Sequence, residues 1–515
     1  MKPVRAWVVI ALLGILAAGG AARFRELGRP SLDVDEYLHV LPARAWIETG
    51  KPALPSGQLY KRALPYTAAV AASEKLFGMN ETAARLPSAV AGLLLIVAVF
   101  WIGRLWFGDA EGLAASALVA VGPLPVMTSR LCRMYTFFEL AVLLFVAVLW
   151  SNVLAPNLPL KRRMAGTISS LVMLFIAHIF QKLAAVMVVG LAGYIIGLAV
   201  IRPRSPASAI ALLGGAAAGL GWVTGRVDFH DAWRHMNAVP KWAEKSRYQA
   251  DFYWRLWASD MTVLLWLAVP LLAWLVWRYR SLGWYLICMA GIPFALHSFI
   301  FDWKFSRYVA HLFPLFALAV APGIVAAGRL VAAWVMGSAR RVRLPNLPAR
   351  SLAAAVIAAA ALVLVWPAPE KTLLQVQQTI SPAWRQAYGY VARNGKPGDG
   401  IVTSIPLASI YYLGRQADYY LDNYAYIDYR YKMKQDAAGR WLDWYTGIPM
   451  VSNAQELKAA AAERPHGWLL VDRDRFEADG ATPPDIRAWL EANAKRHSKV
   501  TPDGSVFVYE WGAVQ

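Results

Sequence analysis

The chain has 515 residues, 58% of them hydrophobic and 23 of them Trp, a composition that excludes an ordinary soluble globular protein and indicates a polytopic membrane protein. Its 52 Lys and Arg against 33 Asp and Glu give a formal net charge of +19. The cations collect in short loops beside apolar segments, as topogenic charge does, so no nucleic-acid partner is expected. The 2 cysteines, Cys132 and Cys288, lie far apart at or within apolar stretches and support neither a disulfide framework nor a thiolate metal site.

Apolar windows long enough to span a bilayer are predicted at about residues 4–22, 87–107, 112–128, 134–154, 164–180 and 183–201. Five more follow at about 207–223, 259–277, 282–301, 308–335 and 351–367. The N-terminus shares the basic start, apolar core and small residues of a secretory signal, but its removal would detach the following loop, so an uncleaved anchor is expected. With Lys2 and Arg5 inside, the alternate turns carry Lys161-Arg162-Arg163, Arg202 and Arg204, Arg278 and Arg280, and Arg340-Arg341 with Arg343 and Arg350. This pattern predicts that the loops at 23–86 and 223–258 and the tail from residue 368 lie on the outer face.

Asp33-Val34-Asp35-Glu36-Tyr37 stands just beyond the first span, and carboxylates at a membrane are costly unless they pair or perform chemistry. Loop 23–86 continues with Leu38, Leu41, Ala45 and Trp46 at helical spacing, which predicts an amphipathic helix along the membrane surface. Loop 223–258 mixes Trp233, Trp242, Tyr248, Tyr253 and Trp257 with Lys and Arg, again an interfacial pattern. The middles of the spans are nearly free of charge, whereas Arg130 and Arg133, His178 and Lys182, and Lys304 and Arg307 sit at outer ends. Transporters place ionisable groups near the midplane; acids and bases carried to one leaflet surface describe a site at the interface.

After residue 367 the pattern changes. A helix at about 382–394, the run Gly-Lys-Pro-Gly-Asp-Gly into Ile401-Val402-Thr403-Ser404, a helix near 407–413, strands at 468–471 and 506–511 and a helix near 486–494 predict a small α/β domain. Its tyrosine-rich stretch 411–426 has two readings: rings for stacking on sugar, or core and docking surface.

The run DVDEYLHVLPARAWIETGKPALPSGQLYKRALPYTAAVAASEKLFG, with NETAARLPSAVAGLL after it, resembles the first outer loop and second span of GT-C glycosyltransferases of the protein mannosyltransferase and aminoarabinose transferase type. SRLCRMYTFFEL, FIAHIFQKLAAV and KFSRYVAHLFPLFALA resemble further elements of that family in the expected order, so the resemblance covers about residues 1–330. It implies a polytopic α-helical membrane protein of GT-C type, here with about 11 transmembrane helices in residues 1–367 and a C-terminal soluble α/β domain in 368–515. It further implies transfer of a sugar from a polyprenyl-phosphate carrier to a lipid, polysaccharide or protein acceptor on the outer side of a membrane, with a bacterial inner membrane expected. A lipid-linked sugar flippase and a non-catalytic assembly protein are the alternatives.

The chemistry agrees with one acidic cluster and dispersed cations. A glycosidase needs two carboxylates, but a sugar phosphate already carries a competent leaving group, so one base and cationic stabilisation of the phosphate suffice. Asp35 is expected to be the general base, with in-line attack predicting inversion, and Glu36 to position Asp35 or the acceptor. Asp33 and Asp35 make a D-x-D spacing that a divalent cation would suit; the other reading is that the acids cap the following helix or pair with Arg44. Tyr60 and Lys61 resemble the family's Y-x-K-x-P element with imperfect spacing, and are placed at the donor phosphate or at the interface as snorkelling groups. Arg133 and Tyr135 are stronger phosphate candidates, with an ion pair between Arg133 and Glu139 or the acidic cluster as the alternative, and Arg130 is a companion. His178 is either a packing histidine or, in its family-like element, a donor-binding group with Lys182 beside it. Arg307 and Tyr308, with Lys304, complete the set.

Overall fold

A computed structural model describes residues 3–201, 249–301, 304–341, 381–423, 432–477 and 482–512. The predicted spans at 207–223 and 351–367, most of loop 223–258, the end of the tyrosine-rich stretch and the loop cations Arg202, Arg204, Arg343 and Arg350 lie outside these residues.

The helices in chain order begin with α1 (Ala6–Phe24), α2 (Val34–Thr49), α3 (Leu64–Phe77), α4 (Glu81–Trp106), α5 (Asp109–Val121) and α6 (Pro123–Ser129). They continue with α7 (Tyr135–Leu149), α8 (Leu160–Phe180), α9 (Val186–Ile201), α10 (Phe252–Phe299) and α11 (Phe313–Arg341). The chain divides into two compact units. Among the described residues, the first holds 3–25, 88–201, 249–301 and 304–341, and the second holds 26–87, 381–423, 432–477 and 482–512.

The first unit is a helical bundle. Among the described residues, 6 helices are long and apolar enough to cross a membrane, or 7 if α5 and α6, bent by 59° at Gly122 and Pro123, make one span. The 48 residues of α10 would reach about 72 Å at the helical rise, more than twice a hydrocarbon core. The chain breaks at Arg280, where φ is 35° and ψ is −99°, so α10 holds the two runs predicted at 259–277 and 282–301. Helix α11 is the bundle's centre: Leu315, Ala317, Leu318, Val320, Ala321 and Val325 are all buried. Ile10, Leu13, Ile168, Trp266, Val269 and Trp334 point outward instead, the inverted surface that lipid favours over water. Two glycines let the backbones of α4 and α5 approach closely: a Cβ on Gly103 would lie 2.8 Å from Gly112 Cα, and one on Gly112 would lie 2.6 Å from the Phe100 carbonyl.

The second unit joins α2 and α3 to an α/β domain. Its helices are α12 (Trp384–Asn394), α13 (Pro406–Leu413), α14 (Ala454–Glu463), α15 (Arg473–Glu477) and α16 (Pro484–Asn493). Its strands are β1 (Gly400–Thr403), β2 (Tyr419–Leu421), β3 (Lys434–Gln435), β4 (Trp441–Leu442), β5 (Met450–Val451), β6 (Gly467–Asp472), β7 (Ala494–Arg496) and β8 (Val506–Trp511). The main sheet runs β5-β2-β1-β6-β8-β7, parallel from β5 to β6 and antiparallel through β8 and β7. Every residue of β6 is buried, which fits its interior position in the sheet with both faces covered. Tyr411 and Tyr412 of α13 meet Tyr37 of α2 edge-on at 5.9 and 6.4 Å, and Tyr419 and Tyr420 are buried in β2. These four rings serve as core and docking surface.

Candidate functional site

The acidic loop folds by local rules. Asp33 is extended, with φ −74° and ψ 159°, and caps α2, while Glu36 three residues on returns its carboxylate to the Asp33 N–H at 2.7 Å, half of a capping box. Asp35 lies half-buried in the first turn, where the helix dipole favours negative charge. Glu36 is buried completely and meets Arg85 in a two-pronged ion pair, Nε to Oε1 at 2.8 Å and Nη2 to Oε2 at 2.7 Å. Arg85 also donates from Nη1 to the carbonyls of Leu27 and Pro30, at 3.0 and 2.9 Å, and from Nη2 to that of Ser31 at 2.7 Å. The guanidinium thus commits its donors on both sides of Asp33, to three carbonyls of the chain that leads into it and to the Glu36 carboxylate beyond it. Tyr60 is buried with its ring 5.3 Å from His39, and Lys61 beside it is exposed. Arg44 does not join the acids: its guanidinium lies 4.0 Å from the Tyr411 ring.

In the helical bundle, Tyr135 is shared by two arginines, with Arg133 5.9 Å and Arg307 5.7 Å from its ring centre. Arg133 arrives from the turn before α7, and Arg307 from the single 3₁₀ turn Ser306–Tyr308, where it also stands 4.6 Å from the Phe305 ring. Tyr253 ties this turn to α10 by accepting from the Phe305 N–H at 3.3 Å, and Tyr308 packs on Phe305 at 5.3 Å. His178 lies in the last turn of α8 and Lys182 begins the next 3₁₀ turn, close enough for their charges to interact; Phe180 between them meets Phe137 of α7 at 5.4 Å.

Two of the expected phosphate ligands are committed to backbone. Lys304 is buried and its Nζ donates to the carbonyls of His297, Ser298 and Phe301 at 3.0, 2.8 and 2.9 Å, capping the C-terminus of α10. Arg130 Nη1 donates to Ala22, Arg23 and Arg25 at 3.1, 3.0 and 2.9 Å, capping α1 in the same way.

Several buried polar groups were not legible as site or support residues. Arg85 is one, although an arginine four residues after Glu81 in a helical turn carried a signal for burial and pairing. Glu139 of α7, read as a possible partner of Arg133, is buried within electrostatic reach of Arg23 instead, and Arg23 binds the carbonyls of Val119 and Ala120 at the end of α5. His297 and His311 face each other at 6.0 Å. These four residues all occupy the last or first turns of their helices or the residues next to them, so the middles of the spans stay apolar. In the second unit, Glu74 of α3 is buried with neither carboxylate oxygen hydrogen-bonded; burial pushes its carboxyl up to about 7 against the pull of Arg44. Among the described residues no group of 3 or more His, Cys, Asp or Glu is placed to hold a metal ion.

Residues 62–224 match the family model for dolichyl-phosphate-mannose-protein mannosyltransferase. No curated protein matches the sequence. Among solved structures, the chain is similar to ArnT from Cupriavidus metallidurans bound to undecaprenyl phosphate, at 15% identity and TM-score 0.58, covering 99% of this chain and 98% of that one. It is also similar to the archaeal oligosaccharyltransferase AglB from Archaeoglobus fulgidus, in complex with an inhibitory peptide and a dolichol-phosphate, at 12% identity and TM-score 0.58, covering 98% of this chain and 74% of that one. The resemblance read from the sequence is therefore matched in three dimensions: the chain has a helical membrane-type fold like that of GT-C glycosyltransferases.

Proposed function

We propose that this protein is an inverting glycosyltransferase that moves a sugar from a polyprenyl-phosphate carrier to an acceptor nucleophile on the outer face of a bacterial inner membrane. The observation that carries the reading is the Glu36–Arg85 clamp, which immobilises the first turn of α2 around a half-exposed Asp35. The acceptor hydroxyl attacks the anomeric carbon while its proton passes to the Asp35 carboxylate. The bond from that carbon to the phosphate oxygen breaks, and the electron pair leaves on the polyprenyl phosphate. Arg133 and Arg307, braced on Tyr135, hold the phosphate through charge-assisted bonds, with Tyr308, His178 and Lys182 as further donors and Lys61 with Tyr60 contributing from the outer loop. Glu36, Arg130 and Lys304 act as positioning residues in this scheme. Asp33 serves α2 as its cap, and no step is routed through a divalent cation, since Asp33 and Asp35 form no group of 3 with another His, Cys, Asp or Glu among the described residues and the arginines carry the phosphate charge in this scheme. Residues 1–367, with about 11 spans, form the membrane part and 368–515 the outer domain.

The fold neighbours support a lipid-phosphate donor, and the acceptor is a lipid, polysaccharide or protein. Membranes containing the protein, given a panel of radiolabelled polyprenyl-phosphate sugars, should release polyprenyl phosphate and a labelled product of inverted anomeric configuration from at least one donor. A retained configuration would refute the single displacement.

A further inference from the structure

The α/β domain carries a groove of about 690 Å³ between α12 and the turn that follows β7. Arg385, Tyr390 and Arg393 stand on one wall and Arg496, His497 and Lys499 on the other, and among the described residues no carboxylate lines it. One of the cations is already neutralised: Arg385 is ion-paired with Glu81 and donates to the Gly28 carbonyl at 2.7 Å. Arg393, Arg496 and Lys499 are exposed and form no ion pair among the described residues. Two uncompensated charges, Arg393 and Lys499, on a concave surface focus the field more than the same charges on a convex one.

Arg496 is the exception among the lining cations: it opposes Tyr509 in the ladder and its guanidinium lies 3.8 Å from the Phe507 ring, on the face of the sheet away from His497 and Tyr390. The walls are also stiff. The Tyr390 hydroxyl meets His497 Nδ1 at 3.0 Å, and His497 Nε2 meets Glu510 Oε2 at 2.7 Å, so the ring at the groove's centre is held from both sides. Glu510 also binds His466 at 3.0 Å, which extends the chain into the sheet. Arg393 and Lys499 on facing walls, beside a fixed imidazole, suit a compact oxyanion of two or more charges.

We propose that this groove binds phosphate groups: a phosphomonoester or pyrophosphate carried either by a lipid headgroup or by a soluble molecule. The inference stands apart from the transferase reading, since it uses no residue assigned to transfer and needs no donor.

Equilibrium dialysis of the full chain in neutral detergent tests it with two probes, radiolabelled inorganic pyrophosphate and dihexanoyl phosphatidic acid. The wild type should bind at least one of them saturably at low salt, and the preferred probe identifies the source. The Arg393→Glu/Lys499→Glu variant should lose one binding equivalent or weaken by about tenfold or more, and added salt should weaken the wild type in the same direction. Arg307→Lys, in the helical bundle, should leave that equivalent in place, and Arg393→Gln/Lys499→Gln should show an intermediate loss with unchanged thermal melting. No saturable binding of either probe, or equal binding by wild type and the charge-reversed variant, would overturn the proposal.

Discussion

Glu36 and Arg85 form a buried, two-pronged ion pair that closes at 2.8 and 2.7 Å, joining residues 49 apart in sequence. Its geometry offsets the cost of burying two charges, because the Asp33 N–H and three carbonyls satisfy the remaining donors and acceptors. Arg85→Ala would strand the Glu36 carboxylate and leave those carbonyls unpaired. The expected loss is about 3–5 kcal/mol of stability, read as a lowered melting temperature in detergent, together with loss of transfer. Arg85→Lys should not rescue it, since an ammonium has only three donors and no fork. Wild-type melting and transfer in Arg85→Lys would contradict the clamp.

Arg307 shares the Tyr135 ring with Arg133 but comes from a short 3₁₀ turn and is only half-buried. Arg307→Lys keeps the charge and loses the fork. The expected effect is a rise in KM for the lipid-phosphate donor of about tenfold or more, corresponding to loss of a charge-assisted hydrogen bond of about 1.5–3 kcal/mol, with melting unchanged. An unchanged KM would remove Arg307 from the phosphate.

Lys304 gives the opposite pattern. Its ammonium is spent on three carbonyls at the end of α10, so Lys304→Met should lower the melting temperature, by about 1–3 kcal/mol of lost stability, while the donor KM of the remaining folded enzyme stays within about twofold. A large KM change with normal melting would return Lys304 to the donor site.

His466 of the α/β domain lies between Asp399 at 2.8 Å and Glu510 at 3.0 Å. Burial opposes its charge, but the hydrogen bonds and charges of the two carboxylates outweigh burial and raise its pKa above the ordinary 6.5. The stabilisation is therefore complete below pH about 6.5 and fades as pH rises through the raised folded value. Burial likewise opposes ionisation of Asp399 and Glu510. For Asp399 the Lys396 N–H and the Trp468 and His466 bonds outweigh it, and for Glu510 the His497 and His466 bonds do; both carboxyls fall below their usual range, so their share is lost as pH falls through those lowered values. Protection of the β6 and β8 amides, taken relative to the base-catalysed intrinsic exchange rate at each pH, should be highest on the acidic side of neutrality and fall toward pH 8, and His466→Asn should flatten that alkaline limb. A wild-type profile level from pH 6 to 8 would refute the coupling.

How much was legible follows the range of each interaction. The D-x-x-E spacing of Asp33 and Glu36 is a local capping signal and was readable. The break at Arg280 was marked by Arg278 and Arg280 between two apolar runs, and the tail's helix at 382–394 and strands at 468–471 and 506–511 match α12, β6 and β8 closely because their patterns are local. Strands β2 and β5, of 3 and 2 residues, were not legible, since so short a run has no period and depends on its neighbours in the sheet. Arg85, Arg130 and Lys304 show the same limit at the site. A cation beside an apolar run looks alike whether it binds phosphate or caps a helix, and only the position of carbonyls from another segment tells them apart.

The most direct test of the account is the turnover of Asp35→Asn, with folding and donor KM measured in the same preparation. The carboxylate and the amide are nearly isosteric, so the account predicts a properly folded protein with near-normal KM and a kcat lowered by about 10²- to 10⁴-fold, the range of a lost general base. Wild-type kcat in Asp35→Asn would contradict the assignment of Asp35 as the base.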